Sequence, residues 1–327
     1  MTRIARIVAA LTGLVALAFV AVVAINWAPD RPASELADRW AQPPSTFLDL
    51  VGMQVHLRDE GRRDDPTPIV LLHGTSASLH TWDGWVAALA PTRRVVRMDL
   101  PGFGLTGPAP DGDYRIERYV EFVTALLDAL GIERCVLAGN SFGGWIAWET
   151  ALAAPGRVAA LILVDSAGHP RESESVPIGF RIARIPLLNR FMEVTLPRGV
   201  VESSLRNTYG DPSRVTPGLV DRYYDLTLRE GNRAALASRF ADARSSPRIP
   251  QLPEIAAPTL ILWGERDRLI PPAYGEQFHR DIPGSRLVVF PELGHVPHEE
   301  DPVATVAAVR SFLDEPGARI EASPPNE

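Results

Sequence analysis

Cys135-Val136-Leu137-Ala138-Gly139-Asn140-Ser141-Phe142-Gly143-Gly144 is the stretch that decides the fold of this 327-residue chain. Its first four residues predict a strand, and Trp145–Ala154 predicts a helix, so a Gly-x-Ser-x-Gly pattern occupies the turn between them. In that setting the turn is strained and exposes the serine hydroxyl, and small residues at 139 and 143 let neighbouring backbone pass close by. Ser141 is therefore a candidate nucleophile. The alternative is an ordinary strand–turn–helix whose glycines serve packing.

The chain around this stretch alternates short apolar runs with longer amphipathic ones. Runs that are apolar without alternation are typical of parallel strands buried on both faces. The predicted strands are Ile69–Leu72, Val95–Leu100, Cys135–Ala138, Ala160–Val164, Thr259–Trp263 and Leu287–Phe290, after an antiparallel opening pair, Thr46–Val51 and Gln54–Arg58. Helices are predicted at Ile116–Leu130 and Pro302–Leu313. This order predicts an α/β fold with a doubly wound sheet.

One long segment, from Gly168 to Pro253, interrupts the alternation. It contains no convincing strand, and its length is too great for a plain loop. We interpret it as a helical insertion. Because it begins at the carboxyl end of a strand, where such folds place their sites, a lid over the site is favoured over a passive excursion.

A nucleophilic serine needs a base, and the base needs an orienting acid. His295 follows the last predicted strand directly after Phe290–Gly294, which makes it the candidate base. Asp267 follows the preceding strand in Trp263-Gly264-Glu265-Arg266-Asp267, which makes it the candidate acid. The alternatives are His298 for the base, and Glu265 or Asp165 for the acid.

Backbone N–H groups are the usual donors to an oxyanion, and two positions can supply them. His73-Gly74-Thr75-Ser76 follows the first parallel strand, so the N–H groups of Thr75 and Phe142 are the candidates, with His73 in a structural role. The turn Asp99–Gly104 is glycine-rich but lacks a phosphate-loop pattern. No cluster of His, Cys or Asp has metal-ligand spacing, so no metal and no cofactor is expected.

The first part of the chain differs from the rest. Arg3 and Arg6 precede an uncharged, apolar run from Ile7 to Ile25, about the length that crosses a bilayer. Asn26 makes a poor signal-cleavage site, so an uncleaved single-span anchor is favoured over a cleaved signal peptide and secretion. The positive-inside bias then puts the large domain on the extracytoplasmic side. The proline-rich residues after the run predict a linker that lifts this domain off the membrane.

Composition excludes several classes of protein. The chain carries 33 basic and 40 acidic residues, so its net charge is −7, which argues against a nucleic-acid partner. All the basic residues are arginine, so chemistry that needs a lysine is absent. Cys135 is the one cysteine, so neither a disulfide scaffold nor a cysteine-rich zinc site can form.

Taken together, these motifs resemble the α/β-hydrolase superfamily, serine-nucleophile branch. The matching pieces are Leu71–Thr75, Asp99–Gly104, Gly139–Gly144, Trp263–Asp267 and Gly294-His295, in the order of that family. The resemblance implies an eight-stranded, mostly parallel sheet with a helical cap after the sixth strand. The expected organisation is an anchor (1–27), a linker (28–45), a hydrolase core (46–167 and 254–315), a cap (168–253) and a tail (316–327).

The resemblance also implies an activity. Ser141 looks like the nucleophile, His295 the base and Asp267 the acid of a carboxylesterase that acts on an apolar acyl substrate through an acyl-enzyme. Gly-Asn-Ser-Phe-Gly-Gly is also similar to carbon–carbon hydrolases of ring-fission products. Those commonly carry Trp after the catalytic His, where this chain has Val296. A non-catalytic binding protein on the same fold is the remaining alternative. The oligomeric state stays open.

Overall fold

A computed structural model describes residues 2–170, 172–185, 193–242 and 245–315 of the protein. The predicted tail, 316–327, lies outside the described residues.

The core of the molecule is one eight-stranded sheet with the order β1-β2-β4-β3-β5-β6-β7-β8. β2 pairs antiparallel with β1 and β4, and the other neighbours are parallel. The prediction of a mostly parallel, eight-stranded sheet is confirmed. The strands are Thr46–Leu50, Met53–Gly61, Ile69–Leu72, Arg94–Met98, Cys135–Asn140, Val158–Val164, Thr259–Gly264 and Arg286–Phe290.

Helices cover both faces of the sheet, as the apolar strands require. The buried apolar side chains include two large hydrophobic clusters, and successive side chains of β3 alternate between them. Val70 and Leu72 belong to the larger cluster, and Ile69 and Leu71 belong to the smaller one. The helices of the described residues are α1 Arg3–Ile25, α2 Ala33–Trp40, α3 Asp83–Leu89, α4 Ile116–Ala129, α5 Phe142–Ala153, α6 Ile178–Ala183, α7 Arg198–Thr208, α8 Pro217–Thr227, α9 Asn232–Asp242, α10 Ala273–Asp281, α11 Pro297–Glu300 and α12 Pro302–Leu313.

The insertion between β6 and β7 is helical. In the part of it that the structure describes, helices α6 to α9 are present, and β pairing is limited to single bridging residues at Thr195 and Arg229. We call the residues between β6 and β7 the cap.

Helix α1 stands apart from the sheet. It is long and apolar enough to cross a membrane, and none of its most apolar window is buried within the molecule. Its large side chains, such as Leu11 and Leu17, are exposed. A span and a signal sequence share these properties.

The segment after α1 differs from the expected linker, because it packs on the cap instead of standing free. It contains α2, and its Ala28 and Leu36 are buried against cap leucines. Ala28 N–H donates to the carbonyl oxygen of Val194 at 2.9 Å, and Arg31 N–H donates to that of Leu228 at 2.7 Å. The prolines of this segment suggested an extended chain, but its packing depends on cap residues far along the sequence.

Candidate active site

Ser141 lies in the tight turn between β5 and α5, with φ +54° and ψ −113°. Such a conformation is strained for any residue other than glycine, and strain of this kind concentrates at functional sites. The turn persists because both flanks are fixed: β5 is buried along its whole length, and Ser141 N–H donates to the carbonyl oxygen of Val164 at 2.9 Å.

Two glycines make this turn possible. A Cβ added to Gly139 would lie 2.1 Å from the carbonyl oxygen of Gly143, and one added to Gly143 would lie 2.2 Å from that of Leu72. Real Cβ atoms do not approach backbone so closely, so only glycine fits at either position. The requirement for small residues that the sequence pattern indicated thus has a direct steric cause.

His295 and Asp267 form a buried pair beside Ser141. His295 Nδ1 lies 2.6 Å from Asp267 Oδ2, and both side chains are buried. Asp267 Oδ1 accepts hydrogen bonds from the N–H groups of Leu269 at 2.8 Å and Ile270 at 2.9 Å. These bonds hold the carboxylate in place against His295 Nδ1, so that Nδ1 donates to it and Nε2 is the other ring nitrogen.

The alternative base, His298, and one alternative acid, Glu265, lie outside the His295–Asp267 pair. Glu265 is exposed, whereas Asp267 is buried against the imidazole. His298 is fully buried, its Nε2 lies 3.1 Å from Thr81 Oγ1, and its ring centroid lies 4.0 Å from that of Trp82. Burial holds the pKa of His298 well below its usual value. It is therefore an uncharged core residue, packed away from the His295–Asp267 pair.

His73 uses both ring nitrogens for structure. Its Nε2 accepts from Leu100 N–H at 2.9 Å, so its Nδ1 carries the proton and donates to the carbonyl oxygen of Gly74 at 2.7 Å. Burial lowers the pKa of His73. The neutral ring thereby fixes the loop that carries Thr75.

A cavity with about 830 Å³ of space, part of it open solvent, opens on Ser141 and His295; we call it the main cavity. Thr75 also lines it, and most of the remaining wall comes from apolar side chains of the cap. These apolar residues include Pro177, Phe180, Leu196, Val200, Val201, Leu205 and Leu236.

A second cleft, of about 800 Å³, meets the first at Ser141 and Thr75. Phe142 lines it as well, so both residues that the sequence named as candidate oxyanion donors lie at the cleft that Ser141 lines. Its outer wall is more polar and includes Arg184 and Arg239. The guanidinium carbon of Arg239 lies 4.4 Å from the centroid of the Phe142 ring.

Sequence reasoning missed two side chains that hold the histidine loop. Asn140 Nδ2 donates to the carbonyl oxygen of His295 at 2.9 Å. The buried Glu300 accepts three backbone N–H bonds, from Gly294 at 3.1 Å and from the cap residues Gly210 and Asp211 at 2.9 Å each. No local pattern reveals either role, because His295 lies far from Asn140 in the chain and the cap residues Gly210 and Asp211 lie far from Glu300.

One group of possible metal ligands exists among the described residues, namely Asp165, Asp267 and His295. Their candidate ligand atoms lie within 4.8 Å of one another. A metal ion there would have to displace the short hydrogen bond between His295 and Asp267. The donor set fits a hydrogen-bonded acid–base group better than a metal site.

Comparisons with known proteins identify the family of this chain. The family model for the alpha/beta hydrolase fold matches residues 67–302. The chain belongs to the α/β-hydrolase fold family. As a member it is a hydrolase.

Its relatives include two hydrolases of Pseudomonas and a membrane phospholipase A. A 2-hydroxy-6-oxononadienedioate/2-hydroxy-6-oxononatrienedioate hydrolase of Pseudomonas putida is 33% identical, over 79% of this chain and 90% of its own. The structure of a meta-cleavage product hydrolase from Pseudomonas fluorescens is 26% identical with TM-score 0.70, over 82% of this chain and 96% of that one. A membrane phospholipase A is 28% identical with TM-score 0.71, over 96% of this chain and 99% of that one.

Proposed function

We propose that the protein is a membrane-anchored serine hydrolase that cleaves carboxylic esters with an apolar acyl group. The observation that carries the proposal is the strained Ser141, which opens on a mainly apolar cavity beside a histidine whose Nδ1 lies 2.6 Å from a buried carboxylate. This arrangement has the residue types, order and environment of a nucleophile, base and acid set.

In this mechanism Ser141 Oγ attacks the acyl carbonyl while His295 Nε2 takes the hydroxyl proton. Asp267 stabilises the imidazolium through Nδ1–H. The N–H groups of Thr75 and Phe142 stabilise the oxyanion; Phe142 is the first residue of α5, so its N–H has no acceptor within the helix. His295 then gives the proton to the leaving alcohol, and water attacks the acyl-serine by the same route.

The path from α1 to the cap supports a membrane substrate. Helix α1 ends at Ile25, and Leu196 N–H already donates to the carbonyl oxygen of Asn26 at 3.1 Å. Leu196 also lines the main cavity. Asn26 is the next residue after Ile25, only about 3.8 Å on between Cα atoms, so a bilayer-spanning α1 would hold this apolar wall at the membrane surface. An apolar ester could then enter the cavity from the lipid. The similarity to a membrane phospholipase A also supports a membrane substrate.

Hydrolysis of p-nitrophenyl esters of increasing acyl length tests the activity, with Ser141→Ala and the surface variant Glu265→Gln assayed alongside. We expect activity in wild type and Glu265→Gln, loss in Ser141→Ala, and a preference for longer acyl chains. A fluorophosphonate should label wild type but not Ser141→Ala. If wild type neither hydrolyses any ester nor takes the label, the acyl-serine proposal fails.

A second candidate function is carbon–carbon hydrolysis of ring-fission-type products. The cleft with Arg184 and Arg239 favours it, because its cationic side chains suit the carboxylates of such substrates. Two of the relatives named above act on such compounds. A wild type that takes the fluorophosphonate label, consumes a dienoate ring-fission product and leaves esters intact would establish this second candidate instead.

A further inference from the structure

Asp165 is a second buried carboxyl group beside the proposed catalytic residues. It directly follows β6, whereas Asp267 follows β7, the next strand of the sheet. Both side chains are buried. A carboxylate oxygen of each and a ring nitrogen of His295 all lie within 4.8 Å of one another. One imidazole thus has two acids within reach.

The hydrogen bonds of the two acids are unequal. Asp267 accepts three: one from His295 and two from the N–H groups of Leu269 and Ile270. Asp165 Oδ1 accepts one, from Gly264 N–H at 3.0 Å, and its buried Oδ2 has no donor among the described residues. Two adjacent buried carboxyl groups do not both ionise readily. The richer set of donors assigns the negative charge to Asp267 and the proton to Asp165.

Electrostatics agree with this assignment. Burial, followed by the charge of Asp267, raises the pKa of Asp165 well above its usual value; Glu300 adds to the rise, and the bond from Gly264 N–H opposes it. The titratable groups around Asp165 are therefore Asp267, His295 and Glu300. Asp165 also adopts φ +45°, a conformation uncommon for a residue other than glycine, at the end of the strand.

We propose that Asp165 is a positioning residue: in its neutral form it donates a hydrogen bond from Oδ2 to the Asp267 carboxylate, and it takes the place of that carboxylate when Asp267 is removed. The inference rests on the proposed function of Ser141. In a variant without the Asp267 charge, Asp165 releases its proton to solvent, and its carboxylate then accepts the hydrogen bond from His295 Nδ1–H.

A double-mutant cycle tests this inference. The variants are Asp165→Asn, Asp267→Asn and the double variant, with the exposed Glu265→Gln as control. In a triad without a substitute acid, loss of the acid lowers turnover about 10⁴-fold. We expect Asp267→Asn to lose only about 10²-fold in kcat/KM, because Asp165 substitutes, and the double variant to lose about 10⁴-fold.

The pH profile separates this role from a merely structural one. In Asp267→Asn, kcat/KM should rise with pH as Asp165 ionises, and the double variant should lack that limb. If Asp267→Asn falls as far as the double variant, with no rising limb, Asp165 does not substitute and the inference is overturned. Asp165→Ser provides a second double variant if the asparagine pair does not fold, as judged by thermal unfolding.

A measurement without substrate distinguishes this failure from failure of the proposed function. The proton between His295 Nδ1 and a carboxylate gives a strongly downfield proton NMR resonance. We expect it in wild type and in Asp267→Asn above the pKa of Asp165, and we expect it to be absent from the double variant. If the resonance is absent from Asp267→Asn at every pH, the inference is wrong, whether or not the protein hydrolyses esters.

Discussion

Glu300 holds the candidate histidine loop against the cap, and replacing it by glutamine tests how much the site depends on that contact. Its Oε2 accepts from the N–H groups of Gly210 and Gly294, and its Oε1 from that of Asp211. Glutamine has the same shape, but one of its two terminal groups is an NH₂ donor. At least one buried N–H therefore faces another donor in the variant.

The size of the effect follows from this geometry. A hydrogen bond to a charged group contributes about 1.5–3 kcal/mol, and the remaining bonds lose their charge assistance. We expect Glu300→Gln to lower the free energy of unfolding by about 2–3 kcal/mol. For a domain of this size that is a fall in Tm of roughly 3–5 °C. Glu300→Ala leaves three N–H groups unpaired and should cost about 4 kcal/mol or more.

Activity should fall together with stability. The amide loses fewest bonds with its NH₂ facing Asp211 N–H, so the loop before His295 keeps a weaker, uncharged bond at Gly294 N–H and the bond from His295 N–H to the carbonyl oxygen of Thr208 at 2.7 Å, on a side chain that is no longer held at Asp211. A misplacement of about 1 Å at a catalytic group costs about 10²-fold, so we expect kcat/KM to fall by about 10- to 10²-fold. Thermal unfolding and ester hydrolysis measure both effects, with Glu265→Gln as the matched exposed control. If Glu300→Gln matches the control in both measurements, the contact does not hold the loop.

Three further predictions concern the anchor, the turn and acid stability. Deleting residues 1–25 should leave a soluble, active domain. Deleting residues 1–40 should lower the Tm of that domain, because this deletion also removes the packing of Ala28 and Leu36 on the cap. Equal Tm values for the two deletions would contradict this packing. Gly143→Ala should fail to fold or lose all activity, while Gly156→Ala, with open space at its Cβ, should behave as wild type in expression and ester hydrolysis. The pKa of His80 is lowered to about 3, chiefly by burial, so the unfolded chain binds a proton at this histidine before the folded chain does. The free energy of unfolding should therefore fall as pH drops from about 6.5 towards 3, by about 1.4 kcal/mol per pH unit for this histidine. Urea titrations at several pH values measure this slope, and His80→Gln should flatten it.

Much of the fold and site could be predicted because the relevant signals are local. The uninterrupted apolar strands and the Gly-x-Ser-x-Gly turn are readable within a few residues of Ser141. His295 and Asp267 could be selected because the carboxyl ends of parallel strands meet at one edge of a sheet, so the loops that follow β7 and β8 converge. The structure places their side chains in contact.

What the sequence could not reveal depends on contacts between distant residues. The docking of α2 on the cap uses ion pairs from Arg31 and Arg39 to Asp225, which lies almost 200 residues further along. No local pattern links such residues, so the prolines of the segment predicted a free linker. Glu300 gave no signal for the same reason, since its cap partners Gly210 and Asp211 are distant in the chain.

Helix α8 connects the two regions that the sequence treated as separate. On one side the Asp225 carboxylate accepts hydrogen bonds from the side chains of Arg31, Arg39 and Trp40, all in the segment after α1. On the other side the neighbouring Tyr223 hydroxyl donates to Glu299, within α11, at 3.0 Å. This helix is therefore fixed both to the segment that leaves α1 and to the element that follows His295.

If the cap opens as the predicted lid, α8 is the part least free to move, because opening there would break both sets of bonds. Helix α6 is the better place for such a motion: it lines the main cavity with Phe180, and most of its surface is at least partly exposed.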